Sequence, residues 1–136
     1  MVSDGRPVVL FVEDEYLVRL STAEGLRMDG YEVIEAAHGA EALRVLESPS
    51  QRVDLLLTDV QMPGAMNGLG LAAWVRENRP DVLVAIWSGS EWATREARQL
   101  TRPELVFLKP VDTSTLVRIF RSHLGPPEGG EREETA

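Results

Sequence analysis

Asp59 is the residue of this sequence that most requires a chemical explanation. It follows a short apolar run, Leu55 to Leu57, and precedes Pro63-Gly64, which should end the strand that this run predicts. A continuous apolar run is typical of a strand buried on both faces of a parallel sheet. The carboxyl end of such a strand is the edge at which open α/β sheets bind ligands. A carboxylate at that edge requires either partners or a function.

Four more reactive groups stand at predicted strand ends. Glu13 and Asp14 follow the first apolar run, Ser88 follows the fourth, and Lys109, the only lysine in the chain, follows the fifth. Three crowded carboxylates raise one another's pKa unless a cation lies among them, and Mg²⁺ suits such oxygen ligands and favours phosphate. We therefore predict that Asp59 is a nucleophile beside a metal ion. The Ser88 hydroxyl and the Lys109 ammonium would hold the oxygens of a phosphoryl group during its transfer.

Alternating strands and helices are predicted to position these groups. The strands are predicted at 8–12, 31–35, 55–59, 81–87 and 105–108, and the helices at 16–28, 39–47, 69–77, 91–100 and 113–123. In the first helix, Leu17, Leu20 and Leu26 are the apolar candidates for the core. The pattern predicts a flavodoxin-like, doubly wound (βα)5 sandwich with a five-stranded parallel sheet of order 2-1-3-4-5. That order makes the first and third strands neighbours and places Asp14 beside Asp59.

Composition narrows the class of protein. At 136 residues, with 43% hydrophobic and 26% charged residues, the chain suits one globular domain over residues 1–124. Residues 125–136 are rich in Gly, Pro and Glu and are predicted to form a disordered acidic tail. The net charge of -8 argues against nucleic acid or an acidic membrane as a partner. There is no cysteine and no long apolar segment, so we expect a cytoplasmic protein.

Over residues 6–124 the sequence resembles the receiver domain of bacterial two-component response regulators. The matching motifs are Glu13-Asp14, the turn from Thr58-Asp59 to Pro63-Gly64 with Gly68 after it, Ser88-Gly89, and Lys109-Pro110. The resemblance implies that Asp59 accepts a phosphoryl group from a sensor histidine kinase or a histidine phosphotransfer protein.

The same resemblance implies the role of each site residue. Asp14, Asp59 and the backbone carbonyl of Gln61 would bind Mg²⁺, and Glu13 would act through water. Ser88 and Lys109 would contact the phosphoryl oxygens and relay the change to the surface around the fourth helix and fifth strand. Because the sequence contains no recognisable output module, a downstream protein effector is expected, and the protein is expected to be a phosphoacceptor and not an enzyme.

One departure from the family pattern affects that relay. The aromatic residue usually found three positions before the lysine is replaced by Val106, and the neighbouring Phe107 should face the opposite side of the sheet. Trp87 and Trp92, on either side of Ser88, are candidates to replace it. The departure leaves an alternative open, a phosphorylation-independent adaptor with the receiver fold. A magnesium phosphohydrolase is a second alternative, but the sequence has no cap or substrate domain.

Overall fold

A five-stranded parallel sheet of order β2-β1-β3-β4-β5 forms the centre of this computed structural model, which describes residues 5–125. The strands are β1 (Val8–Val12), β2 (Glu32–Ala36), β3 (Leu55–Asp59), β4 (Leu83–Ser88) and β5 (Val106–Leu108). The helices are α1 (Tyr16–Met28), α2 (Gly39–Glu47), α3 (Gly68–Asn78), α4 (Glu91–Ala97) and α5 (Thr113–Leu124). The predicted flavodoxin-like fold and its strand order are confirmed.

The continuous apolar runs form the most deeply buried strands. Every residue of β1 and β3 is buried, because these central strands have helices on both faces. Parallel pairing places Val12 beside Thr58, and Asp59 beside Trp87 of β4. The acidic ends of β1 and β3 are therefore neighbours at the carboxyl edge of the sheet.

The two faces of the sheet have different cores. We call the side covered by α1 and α5 the aromatic face, because it holds five buried aromatic residues: Phe11, Tyr31, Trp87, Phe107 and Phe120. We call the side covered by α2, α3 and α4 the aliphatic face, whose buried residues include Leu10, Leu56, Leu71, Ile86 and Ala93. Among the described residues, the fully buried members of the aliphatic face include no aromatic residue.

Some element boundaries and two core assignments differ from the predictions. The second and fourth strands begin later than predicted, at Glu32 and Leu83, and α4 ends at Ala97, before the predicted residue 100. In α1, the predicted core residues Leu17 and Leu20 are 73% and 37% exposed, whereas Leu26 is buried as expected. Nine residues rotate a helix by about two and a half turns, so Leu17 and Leu26 lie on opposite sides of α1.

Two further predictions concern membrane insertion and the C-terminal tail. Within residues 5–125, none of the helices has the length and apolar character needed to cross a bilayer. The predicted disordered tail falls outside the described residues, apart from Gly125.

Candidate phosphoacceptor site

Three carboxylates meet at the carboxyl edge of the sheet. Glu13, Asp14 and Asp59 each offer an oxygen atom, and these atoms lie within 4.8 Å of one another. Glu13 and Asp59 are buried, at 1% and 8% exposure, whereas Asp14 is exposed. The adjacent ends of β1 and β3 produce this cluster, as the strand order requires.

Lys109 supplies the positive charge of the site. Its Nζ donates hydrogen bonds to Asp59 Oδ2 at 3.0 Å and to Glu13 Oε1 at 3.1 Å. The Lys109 backbone N–H donates to the carbonyl of Ser88 at 2.8 Å, which extends the pairing of β4 with β5 by one residue. The end of β5 is thereby fixed to β4, and the lysine side chain reaches across the sheet edge to both carboxylates.

Burial and charge act against each other within this cluster. Burial raises the pKa of Glu13 above its ordinary value of 4.5, although the Glu15 backbone N–H and Lys109 favour its ionised form. Burial alone would lower the pKa of Lys109, but its hydrogen bonds and attraction to Asp59 and Glu13 outweigh burial and raise it above 10.5. The pKa values of both groups are therefore raised, but for different reasons: burial has the largest effect at Glu13, whereas the two carboxylates outweigh burial at Lys109.

Arg19 of α1 holds the backbone beneath Glu13. One guanidinium nitrogen of Arg19 donates to the carbonyl oxygen of Glu13 at 2.7 Å, and another pairs with Glu35 of β2 at 3.2 Å. Arg27 also pairs with Glu35, at 3.0 Å. The acidic strand end is therefore connected to both α1 and β2 by charge-assisted hydrogen bonds. The sequence gives no pattern that pairs these residues.

Ser88 and Gln61, the remaining predicted site residues, occupy different environments. Ser88 is fully buried, and its Oγ accepts a hydrogen bond from the Ser90 N–H at 3.1 Å. Ser90 in turn caps α4, because its side chain accepts from the Ala93 N–H. The side chains of Ser88 and Lys109 are not hydrogen-bonded to each other within the described part of the chain. Gln61 is exposed in the loop that follows Asp59.

The loop between β3 and α3 explains the glycines of the Asp59 motif. Gly64 has a φ of +102°, a conformation that side chains disfavour. A Cβ on Gly68 would lie only 1.9 Å from the backbone oxygen of Asp59, so α3 can begin there only with glycine. The Gly68 N–H donates to the Val60 carbonyl, and the Asn67 side chain caps the helix at the Gly70 N–H. The start of α3 is thus fixed against the backbone of Asp59 and Val60.

Trp87 lies beside the site, on the face of the sheet opposite Val106. Phe107 and Val106 face opposite sides of the sheet, as predicted, with Val106 packed against the aliphatic face. Trp87 belongs to the aromatic face and is 3% exposed, so the expectation that it replaces the missing aromatic near Val106 is wrong. Its ring instead lies beneath Lys109, with Nζ 4.8 Å from the ring centroid.

Trp92 is the other tryptophan near Ser88. It lies on α4 and is 59% exposed. Trp92 therefore remains a candidate to replace the aromatic residue missing at Val106. It would act from the exposed surface of α4 and not from the core.

The donor set fits Mg²⁺. Three carboxylates from adjacent strand ends can supply the one or two direct ligands that Mg²⁺ usually takes, and exposed Asp14 leaves room for retained water. Glu13 is already bound by Lys109 and by the Glu15 N–H at 3.1 Å, so its oxygens are the most constrained of the three.

Comparisons with known proteins agree with this geometry. The family model described as the response regulator receiver domain matches residues 9–121. The sensor kinase CckA of Brucella abortus is 41% identical over 85 residues, which cover 62% of this chain and 9% of the kinase. The transcriptional regulatory protein PdtaR of Mycobacterium tuberculosis is 33% identical over 110 residues, covering 80% of this chain and 52% of the regulator.

A solved receiver domain has the same fold. The crystal structure of the receiver domain from the hybrid histidine kinase CckA superposes with a TM-score of 0.70 at 39% identity. The superposition covers 86% of this chain and 98% of that receiver domain. The fold and the site define an α/β domain with an acidic cluster and a lysine at one sheet edge. The chain belongs to the response regulator receiver domain family.

Family membership sets the coarse function. Receiver domains are phosphoaccepting signalling modules of two-component systems and not conventional enzymes. This chain spans about half, or much less, of the length of the curated relatives described above. Their kinase or transcriptional regulatory activities therefore belong to those whole proteins.

Proposed function

We propose that this chain is a phosphorylatable signalling switch in which Asp59 accepts a phosphoryl group from a phosphohistidine. The observation that carries the proposal is the bridge from Lys109 Nζ to Asp59 and Glu13 within a cluster of three carboxylates. A salt bridge built only for stability would not need an uncompensated excess of buried negative charge. That excess is suited to a divalent cation and to the chemistry of phosphate.

The transfer forms one bond and breaks another. An oxygen of the Asp59 carboxylate attacks phosphorus, the P–O bond forms, and the P–N bond to the donor imidazole breaks, leaving the electron pair on the imidazole nitrogen. Lys109 compensates the charge on the phosphoryl oxygens, and the Ser88 hydroxyl donates a hydrogen bond to one of them. Because Lys109 Nζ already contacts Asp59 Oδ2 at 3.0 Å, we expect its position to change when phosphoryl oxygens enter the site.

Mg²⁺ is the proposed cofactor of this transfer. Asp14, Asp59 and the backbone carbonyl of Gln61 would bind it, with Glu13 acting through water. When bound, the ion neutralises the carboxylates and the incoming phosphoryl oxygens, so that nucleophile and phosphate can approach. The proposed residue roles rest on the acidic cluster and on the oxygen-only donor set.

A sensor histidine kinase or a histidine phosphotransfer protein is the proposed phosphoryl donor. The relationship to the receiver segment of a sensor kinase supports this class of donor. The output is proposed to be altered affinity for a protein effector, without nucleic acid or membrane as a direct partner. A cytoplasmic location remains a prediction.

An adaptor that binds its partner without phosphorylation is the second candidate. It is favoured by Val106, which packs with the aliphatic face at the position where the family usually carries a relay aromatic. An adaptor would bind its partner equally well as the wild type and as Asp59→Asn, with or without beryllofluoride. A switch would bind differently in the two states.

Incubation with acetyl phosphate and Mg²⁺ tests the proposal. Intact mass should rise by one phosphoryl group, and the increase should disappear with a chelator or in Asp59→Asn. Asn has nearly the same volume as Asp, so the variant should keep the circular dichroism spectrum and melting temperature of a folded domain. Glu77→Gln, which removes an exposed carboxylate from α3, is the matched control and should be phosphorylated normally. Phosphorylation of Asp59→Asn at the wild-type rate would refute the assignment.

A further inference from the structure

Lys109 has a third partner besides its two carboxylates. Nζ lies 4.8 Å from the centroid of the Trp87 ring, within the distance at which an ammonium is attracted to an aromatic face. Trp87 is the register partner of Asp59 on β3, so one tryptophan lies beside the reactive aspartate and beneath the lysine that contacts it. Trp87, Asp59 and Lys109 thus form one contiguous group.

Tryptophan is an unfavourable core residue at position 87, because it buries an N–H group that has to be desolvated. Nε1 of Trp87 is buried and has no hydrogen-bond partner among the described residues. A phenylalanine or leucine would fill the core without burying an unpaired N–H. Tryptophan has the most strongly attractive face for a cation, which phenylalanine offers only weakly and leucine lacks. The contact with Lys109 gives a reason for the indole at this position.

The packing around Trp87 keeps the ring in place. Phe11 of β1 packs against it with centroids 5.5 Å apart and planes inclined by 66°, an edge-to-face contact. Phe107 is the register partner of Trp87 on β5, and it packs edge-to-face with Phe120 of α5 at 6.4 Å. A displacement of the indole would therefore reach side chains of the aromatic face, up to α5.

We infer that Trp87 is a positioning residue that holds the Lys109 ammonium at the acidic cluster and couples its movement to the aromatic face. The inference rests on the proposed function, because it concerns the lysine of the proposed phosphoryl site. It provides a connection to α5 that does not pass through Val106. Loss of the aromatic ring should leave the ammonium with two anchors in place of three and make its position less defined.

The rate of phosphorylation by acetyl phosphate in Trp87 variants tests the inference. Trp87→Leu should slow the reaction by about fivefold, as expected for the loss of a partly buried cation–π contact, and Trp87→Phe should slow it less because an aromatic face remains. Tyr31→Leu is the matched control, an aromatic-to-leucine change in the same cluster that lies next to the start of β2, at the edge of the sheet away from Lys109. It should lower the melting temperature while leaving the rate unchanged.

A mutant cycle separates this role from a general loss of packing. In a Lys109→Met background, Trp87→Leu and Trp87→Phe should cause no further slowing, because the indole acts through the ammonium. Equal rates for wild type and the Trp87 variants, or equal slowing by Tyr31→Leu, would overturn the inference. So would full additivity with Lys109→Met. If Trp87→Leu does not fold, the same comparisons apply to Trp87→Phe. Failure of the wild-type protein to become phosphorylated would instead refute the proposed function.

Discussion

The aromatic and aliphatic faces of the sheet contribute to the site in different ways. The aromatic face contributes side chains, because Trp87 contacts Lys109, which contacts Asp59. The aliphatic face contributes a backbone contact, because Gly68 at the start of α3 packs against the carbonyl of Asp59. Packed side chains can adjust when a charge moves, whereas a backbone contact with no room for a Cβ fixes position. Under the proposed function, the aromatic face would transmit a change and the aliphatic face would keep Asp59 in place.

The largest effect is expected where the aliphatic face meets Asp59. Gly68→Ala should lower the free energy of unfolding by about 3 kcal/mol or more, because its Cβ would overlap backbone that cannot move away. Gly70→Ala, in the same helix, is the control. Its Cβ would meet nothing closer than 3.7 Å, so it should be neutral or stabilise by up to about 1 kcal/mol. Urea unfolding measures both, and equal stability of the two variants would contradict the fixed backbone contact.

On the aromatic face, Lys109 can be replaced by arginine, which keeps the positive charge but changes its shape. Lys109→Arg should slow phosphorylation by about tenfold, or about 1.4 kcal/mol of barrier, because a planar guanidinium cannot replace a compact ammonium between two carboxylates and an indole. Initial rates with acetyl phosphate measure the effect. A wild-type rate in Lys109→Arg would show that only charge matters at this position.

The strand-end residues of the site were predictable, but their contacts were not. Apolar runs followed by Asp14, Asp59 and Lys109 indicate parallel strands with reactive groups at one edge, and the register follows from that order. The contact between Glu13 and Lys109 joins residues 96 positions apart, and no local pattern encodes it. Its distance depends on side-chain conformations that only the packed core determines.

The face on which Trp87 lies follows from the alternation of side chains along β4. Alternation along β4 places Trp87 on the side opposite Ile86, and register places it on the same side as Phe107. Closeness to Ser88 in the sequence does not determine the face on which the Trp87 side chain lies. The exposure of Leu17 has a similar origin, because helical angle and not apolar character decides burial.

The pH dependence of the free energy of unfolding tests the cost of burying the Glu13 carboxylate. Its pKa is raised above 4.5, so between 4.5 and the raised value the folded state binds more protons than the unfolded state. Stability without Mg²⁺ should therefore fall as pH rises through the folded pKa, and this fall should be absent in Glu13→Gln. Unfolding free energies from pH 4 to 8 with a chelator measure it. Glu77→Gln should retain the wild-type profile, and a wild-type profile in Glu13→Gln would contradict the cost of its burial.

The smallest effect is expected at the outer surface of the aliphatic side. Trp92→Phe on α4 should change the free energy of unfolding by less than about 0.5 kcal/mol, because this side chain is 59% exposed. The phosphorylation rate should also be unchanged. A slower rate would give α4 a part in the reaction that the contacts of Trp92 do not indicate.

Fluorine NMR of the protein labelled with 5-fluorotryptophan compares both sides of the sheet in one spectrum. Trp87 reports on the aromatic face, Trp74 packs against the aliphatic face, and Trp92 reports on α4. Single Trp→Phe variants assign the three resonances. Addition of Mg²⁺ and beryllofluoride should shift the Trp87 resonance most and leave Trp74 nearly unchanged, and Lys109→Met should remove most of the Trp87 shift. A stationary Trp87 resonance, with or without movement of the other two, would contradict the account.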